Sequence, residues 1–268
     1  MSEKPESHLW DWSTLTGPEI AAAAARGAVV ILPIGAIEQH GPHLPVDTDI
    51  HGACEIAWRV ATQVPDCLVL PPVSWGYSAT HLGFGGTLSL RPTTLWALLE
   101  DLCTSLVEQR FTKIVLLVAH ATNRSFVNTF VTEFYRKHNI SLVQVNWVQF
   151  GLSAFQRLRK SATGGAGHAG EFETSVELYL RPELVRRELA VARYIQPEQD
   201  FGLPDTFEDI PSPGKVLTGY SLHNRFKEGV MGDGTWGDAV LGRAIVEEAV
   251  TGIVRIVQAL KEKKDGEG

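Results

Sequence analysis

An α/β fold is predicted, with a mostly parallel sheet covered by helices on both faces. Two observations predict it. Short runs apolar on every residue recur along the chain, as strands buried on both faces require, and segments with helical periodicity lie between them. No repeat or low-complexity tract interrupts the pattern, so the sequence reads as one domain over 1–268, with a short N-terminal extension and a charged C-terminal tail, KEKKDGEG. Strands are read at 28–34 (AVVILPI), 67–71 (CLVLP) and 113–118 (KIVLLV), and a fourth, β-branched and partly alternating, at 140–147 (ISLVQVNW). A helix is read at 50–63 from Ile50, Ala53, Ile56, Ala57, Val60 and Ala61. Another spans 93–109, started by Pro92 and two threonines, with Leu95, Leu98, Leu99, Leu102 and Leu106 on one stripe. Further helices are read at 124–136, at 171–181 before Pro182, and at 238–262. The segment 195–236, rich in Gly, Pro and Asp, reads as a long loop or small hairpin over a site.

Composition excludes several classes of function. Apolar residues make up 44% and charged residues 21%, which fits a globular chain rather than a disordered or fibrous one. No apolar run approaches the ~20 residues of a membrane helix. The start, MSEKPESHLWDWS, lacks the basic and apolar regions of a signal peptide. The net charge of -7 argues against a nucleic-acid partner and suits a site that gathers acidic metal ligands. Cys54, Cys67 and Cys103 are too scattered for a disulfide framework or a thiolate metal site, which points to a reducing cytoplasm.

In a parallel sheet, ligands bind beyond the carboxyl ends of the strands. There the sequence places Glu38 and His40, two apart after the first strand, with Asp49 nine residues further on. His120 directly follows the third strand. His168, Glu171 and Glu173 open the fourth helix after Gly164-Gly165-Ala166-Gly167. A carboxylate and an imidazole two apart in extended chain point the same way, a good start to a metal site. Each group alone has an ordinary reading: Asp49 as a helix cap, Glu38 as a solvated loop carboxylate, the glutamates as partners of a helix N-terminus. His43, His51 and His81 carry little weight singly, and Trp75, Trp147 and Trp236 are each readable as core or as pocket wall.

The segments IGAIEQHGPHLPVDTD, GYSATHLGFGGTLSL, VAHATN and GHAGEFETS together resemble the creatininase (creatinine amidohydrolase) family, from about residue 28 to about 180. The resemblance implies a three-layer α/β/α hydrolase, usually a homohexamer, with two divalent ions. Carried onto this chain, Glu38, Asp49 and His120 hold one ion, and His40 and Asp49 hold the second. The family's further carboxylate falls at Thr122, which cannot serve, so the role passes to Glu171 of the HAGE motif, with Glu173 as the alternative. His168 would carry the proton to the leaving nitrogen, and Ser78 would touch the substrate. In place of the family's Asn-Gly-His-Gly-Gly-Asn, this chain has Val118-Ala119-His120-Ala121-Thr122-Asn123, and Gly83-Phe84-Gly85-Gly86-Thr87 replaces GFPGT.

Nitrogen and oxygen ligands suit Zn, Mn or Fe(II). Two such ions ~3.5–4 Å apart activate a water at neutral pH. The expected function is therefore hydrolysis of a C–N bond in a small cyclic amide or formamide-like substrate, by a cytoplasmic homo-oligomer with no nucleic-acid or membrane partner. The alternatives are hydrolysis of a sugar-derived lactone and a non-catalytic, metal-stabilised assembly subunit. Arg124 is the one basic residue that falls near the site, little support for a phosphate-bearing ligand.

Overall fold

The computed structural model describes residues 10–194 and 221–263. Its central sheet has four parallel strands in the order β2-β1-β3-β4: β1 (Val29–Ile34), β2 (Cys67–Val69), β3 (Lys113–Val118) and β4 (Leu142–Asn146). Side chains alternate across a strand, so the apolar runs feed two cores. Val29, Ile31, Val115 and Leu117 face one layer, built from α2 (Thr48–Ala61), α5 (Trp147–Leu158), α6 (Glu171–Leu180) and α8 (Ala239–Glu262). Val30, Leu32, Leu116 and Val118 face the other, built from α1 (Gly17–Ala25), α3 (Pro92–Glu108) and α4 (Ala121–His138). This is the three-layer α/β/α architecture expected. Each core is tight enough that truncating a fully buried leucine such as Leu99 to alanine would cost about 2–5 kcal/mol.

The elements differ from the sequence reading in a few places. The fourth strand ends at Asn146, whose side chain accepts from the Val148 amide and starts α5, a helix outside the elements read from the sequence. Gly151 weakens the helical signal there, yet it is needed: a Cβ at that position would lie 2.6 Å from Ile245 Cγ2 of α8. α1 was also unread; its Ala-rich run is started by a capping box in which Glu19 accepts from the Thr16 amide at 2.7 Å. α2 begins at Thr48 with Asp47 at the N-cap, so Asp49 lies inside the first turn and is not the cap. Of the segment 195–236, residues 195–220 fall outside the described residues. The rest supplies α7 (Leu222–Arg225) and β6 (Gly232–Asp233), which pairs antiparallel with β5 (Ala192–Arg193). No helix among the described residues is long and apolar enough to cross a membrane.

The chain leaves β1 towards β2 on one side and later takes up β3 on the other. The gap between the carboxyl ends of β1 and β3 is thus the topological switch point, where such sheets bind ligands. The loop from Gly35 to His40 leaves one lip of that gap and His120 the other.

Candidate metal centre

Seven ionisable side chains converge at this switch point, nearly all of them buried: Glu38, His40, Asp49, His81, His120, His168 and Glu173. Three trios among them bring one ligand atom each within 4.8 Å of one another: Glu38 with Asp49 and His120; His40 with Asp49 and Glu173; and Glu38 with His40 and His168. Asp49 belongs to the first two and sits between them. Its Oδ2 is 3.3 Å from His120 Nδ1, and its Oδ1 is 3.9 Å from His40 Nε2.

The backbone aims these groups. The Glu38 amide donates to the Val46 carbonyl, closing the loop that carries Glu38 and His40. Asn123, fully buried in the first turn of α4, donates to the Gly35 carbonyl at 2.9 Å and accepts from the Tyr77 amide at 3.0 Å. It therefore ties the β1 exit to the segment that carries Ser78 and His81. His120 Nε2 donates in turn to the Tyr77 carbonyl at 3.1 Å, and His40 Nδ1 donates to the Glu38 carbonyl at 3.1 Å. Each imidazole thereby spends one nitrogen on a main-chain carbonyl and turns the other to the cluster, His40 Nε2 without a partner and His120 Nδ1 towards Asp49, the arrangement that orients a metal-ligating histidine.

The free atoms are the test of fit. Glu38 Oε2, His40 Nε2 and Asp49 Oδ2 are buried and have no hydrogen-bond partner. A buried unpartnered polar atom costs about 1–3 kcal/mol, and more where charge is involved. Here three such atoms belong to the trios above, so cations held by those trios would satisfy them. The charges agree. Burial pushes the Glu38 carboxyl above its ordinary range, and the Asp49 carboxylate adds to the rise. Burial likewise lifts Glu173 to about 7. His120 is pushed up to about 10; burial opposes the shift, but Glu38 and Asp49 outweigh it. Carboxylates crowded in a dry site, drawing protons onto their neighbours, are relieved by divalent cations.

The sequence-derived residues divide as follows. Glu38, His40, Asp49, His120 and His168 are brought together. Ser78 is buried beside them; its hydroxyl has no hydrogen-bond partner and lies close enough to Glu38 to oppose the rise in that carboxyl's pKa. Glu171, to which the resemblance passes the further carboxylate, is in none of the three trios. Its carboxylate is fully buried but accepts from the Lys160 amide at 2.7 Å, the Ser161 amide at 2.9 Å and the Ser161 hydroxyl at 2.5 Å. It pins the loop before α6. Glu173, the alternative, is in one of them: Oε2 is 3.7 Å from His40 Nε2 and accepts from the Ala169 amide at 2.7 Å. Ala169 adopts φ +53, a left-handed conformation that alanine rarely takes and that presents this amide to Glu173.

Of the three tryptophans, Trp75 and Trp236 are exposed, whereas Trp147 is buried and lines a small cavity with Thr48, Asp49, Ala119 and Glu173. Its indole N–H is unpartnered. His81, given little weight in the sequence, lies with Nε2 3.7 Å from Glu38 Oε1. His43 and His51 are spent on structure: His43 pairs with the Thr174 hydroxyl at 2.9 Å, and His51 with Glu177 at 3.2 Å. Cys54 packs in the core, where burial pushes its thiol up to about 12.

Comparison with known proteins places the chain among relatives. The chain is 29% identical over 245 residues to the mycofactocin precursor peptide peptidase of Mycobacterium ulcerans, covering 88% of this chain and 87% of the relative. It is 30% identical over 187 residues to the creatinine amidohydrolase of Pseudomonas putida, covering 64% and 72%. A solved mutant creatininase of Zn-Zn type superposes with a TM-score of 0.78 at 25% identity, over 97% of this chain and 100% of that one. The family model described as creatinine amidohydrolase matches residues 13–257. Nearly the whole chain thus fits one family, and the protein belongs to the creatininase family of metal-dependent amidohydrolases.

Proposed function

We propose that this chain hydrolyses the C–N bond of a small cyclic amide or formamide-like substrate, with two divalent cations held by Glu38, Asp49 and His120 and by His40, Asp49 and Glu173. The observation that carries the reading is the set of orphaned, buried ligand atoms on both sides of Asp49. Zn or Mn suits these nitrogen and oxygen donors, with Fe(II) third. Such a pair of cations, when bound, supplies a water acidic enough to ionise near neutral pH and polarises the scissile carbonyl.

The side chains do the rest. Glu38 and Asp49 present fixed carboxylates, since loop and helix backbone hold both. His168 donates from Nε2 to the Gln39 carbonyl at 2.8 Å, while its Nδ1 lies 3.6 Å from Glu38 Oε1, inside the site. That nitrogen takes the proton from the attacking water and returns it to the departing nitrogen. Ser78 offers its free hydroxyl to the substrate, and Trp147 walls the cavity. In the same reading the protein is a single-domain cytoplasmic homo-oligomer, hexameric as in its family. Its three buried free cysteines suit a reducing compartment, and sedimentation velocity checks the assembly.

Turnover of a panel of cyclic amides, formamides, short peptides and lactones by the zinc- or manganese-loaded protein tests the function. Hydrolysis of an amide, abolished by a chelator and restored by metal, supports it. Hydrolysis of lactones alone moves the substrate class, and bound metal without any turnover points to an assembly role. The ligand assignment has its own check. Glu173→Gln is expected to lower metal content from two ions per chain to one, while Glu171→Gln leaves both. The latter weakens the anchor at Lys160 and Ser161, lowering stability by about 1.5–3 kcal/mol in a denaturant titration. Loss of metal in Glu171→Gln would reverse the assignment.

A further inference from the structure

Gln39 lies between the two metal-ligand candidates Glu38 and His40, yet its own side chain turns away from the cation positions and meets two other histidines. Its amide orientation is settled by main-chain partners. Oε1 accepts from the Gly41 amide at 2.9 Å, and Nε2 donates to the Gly229 carbonyl at 3.0 Å. One hydrogen of the amide remains. Two imidazole nitrogens lie within reach of it: His81 Nδ1 at 3.1 Å and His168 Nε2 at 3.1 Å. His168 Nε2 also lies 2.8 Å from the Gln39 carbonyl oxygen, which can only accept. His168 therefore carries its hydrogen on Nε2 and cannot receive another. The remaining amide hydrogen goes to His81 Nδ1, which leaves the His81 hydrogen on Nε2, facing Glu38 Oε1.

We infer that Gln39 is a positioning residue: main chain and side chain of this one residue fix the hydrogen positions on His168 and His81, turning an unprotonated Nδ1 of His168 and a protonated Nε2 of His81 towards Glu38. The two rings are in edge contact, with centroids 4.6 Å apart. His81 Nε2 then faces Oε1 of Glu38 at 3.7 Å, on the side away from Oε2, the orphaned oxygen. The seat for Gln39 is itself built. Gly229 has φ +71, and a Cβ there would lie 2.0 Å from Gln39 Oε1, so no other residue leaves the amide in place. The consequence for catalysis rests on the reading of His168 as the proton carrier; the hydrogen positions do not.

Nitrogen-15 solid-state NMR of histidine-labelled, zinc-loaded protein tests the inference, with His81→Gln and His168→Gln spectra for assignment. Wild type is expected to show both rings protonated at Nε2. Gln39→Met removes the donor at similar length, so His81 is expected to lose its single tautomer while His168, held by the main-chain carbonyl, keeps its own. Gly229→Ala, which displaces an intact Gln39, is expected to reproduce the His81 change. With a hydrolysable amide, kcat in Gln39→Met falls roughly 10–100-fold while KM and zinc content stay near wild type. A wild-type His168 protonated at Nδ1, or a His81 spectrum unaltered in Gln39→Met, would overturn the inference. Should either variant fail to fold, the wild-type spectrum still decides. Absence of turnover on every substrate would count against the proposed function while leaving the NMR result to stand or fall alone.

Discussion

Asp49→Ala is expected to release both metal ions from each chain and to abolish turnover. The reason is its position. Glu38 and His120 lie on one side of its carboxylate and His40 and Glu173 on the other, so each trio loses a member when it goes. No neighbour can substitute, because Asp49 sits in the first turn of α2, packed between the β1 exit and α6, and the methyl of alanine leaves a void there. The cations contribute several kcal/mol of charge stabilisation to such a transition state, so the rate should fall by about 10³-fold or more. Elemental analysis after dialysis, beside a steady-state assay, checks both parts. Retention of one full equivalent of metal would show that Asp49 serves a single site. Loss of Asp49 also removes one of the charges that draw a proton onto His120.

His168→Ala is expected to give the opposite pattern, with metal content kept and turnover reduced by about 10²–10⁴-fold, the usual worth of a positioned general acid–base group. His168 belongs to neither of the two trios proposed to hold the cations, and it enters the site from the Gly-rich approach to α6, so its removal leaves the ligand loops intact. Burial, with His40 and His81 adding to it, holds its imidazole well below the ordinary range, so the ring is uncharged at rest. A neutral ring with its free Nδ1 turned inward is set to accept a proton before it gives one. Metal analysis and kcat of the same preparation read the two outcomes together. Loss of metal along with activity would make His168 a ligand, as the trio with Glu38 and His40 allows.

β1, β2 and β3 were legible because they are buried on both faces, which writes an unbroken apolar run into the sequence, and β4, half-buried, by its partial alternation. α5 lies outside the elements read, although Trp147, Gly151, Leu152, Ala154 and Phe155 recur on one face; Gly151 permits its close approach to α8. In the site, Glu38, His40, Asp49 and His120 stood out because each lies at a strand exit or a helix start, where chain order alone constrains direction. Glu171 and Glu173 did not separate. Both lie in the first turn of α6, about 200° apart around the helix axis. Which of them faces the cluster is decided by the Lys160–Ser161 loop that wraps Glu171, a contact with no local signature. Gln39 had no local signature either: its side chain is seated by Gly229, 190 residues away in the chain.

The most direct measurement is an anomalous difference map from a zinc-loaded crystal. Two peaks are predicted, both within the usual Zn–O distance of ~2.0–2.2 Å from the Asp49 carboxylate. One should lie beside Glu38 and His120, the other beside His40 and Glu173. A single peak, or a second peak at Glu171 instead of Glu173, would contradict the shared-carboxylate site on which the proposed chemistry is built.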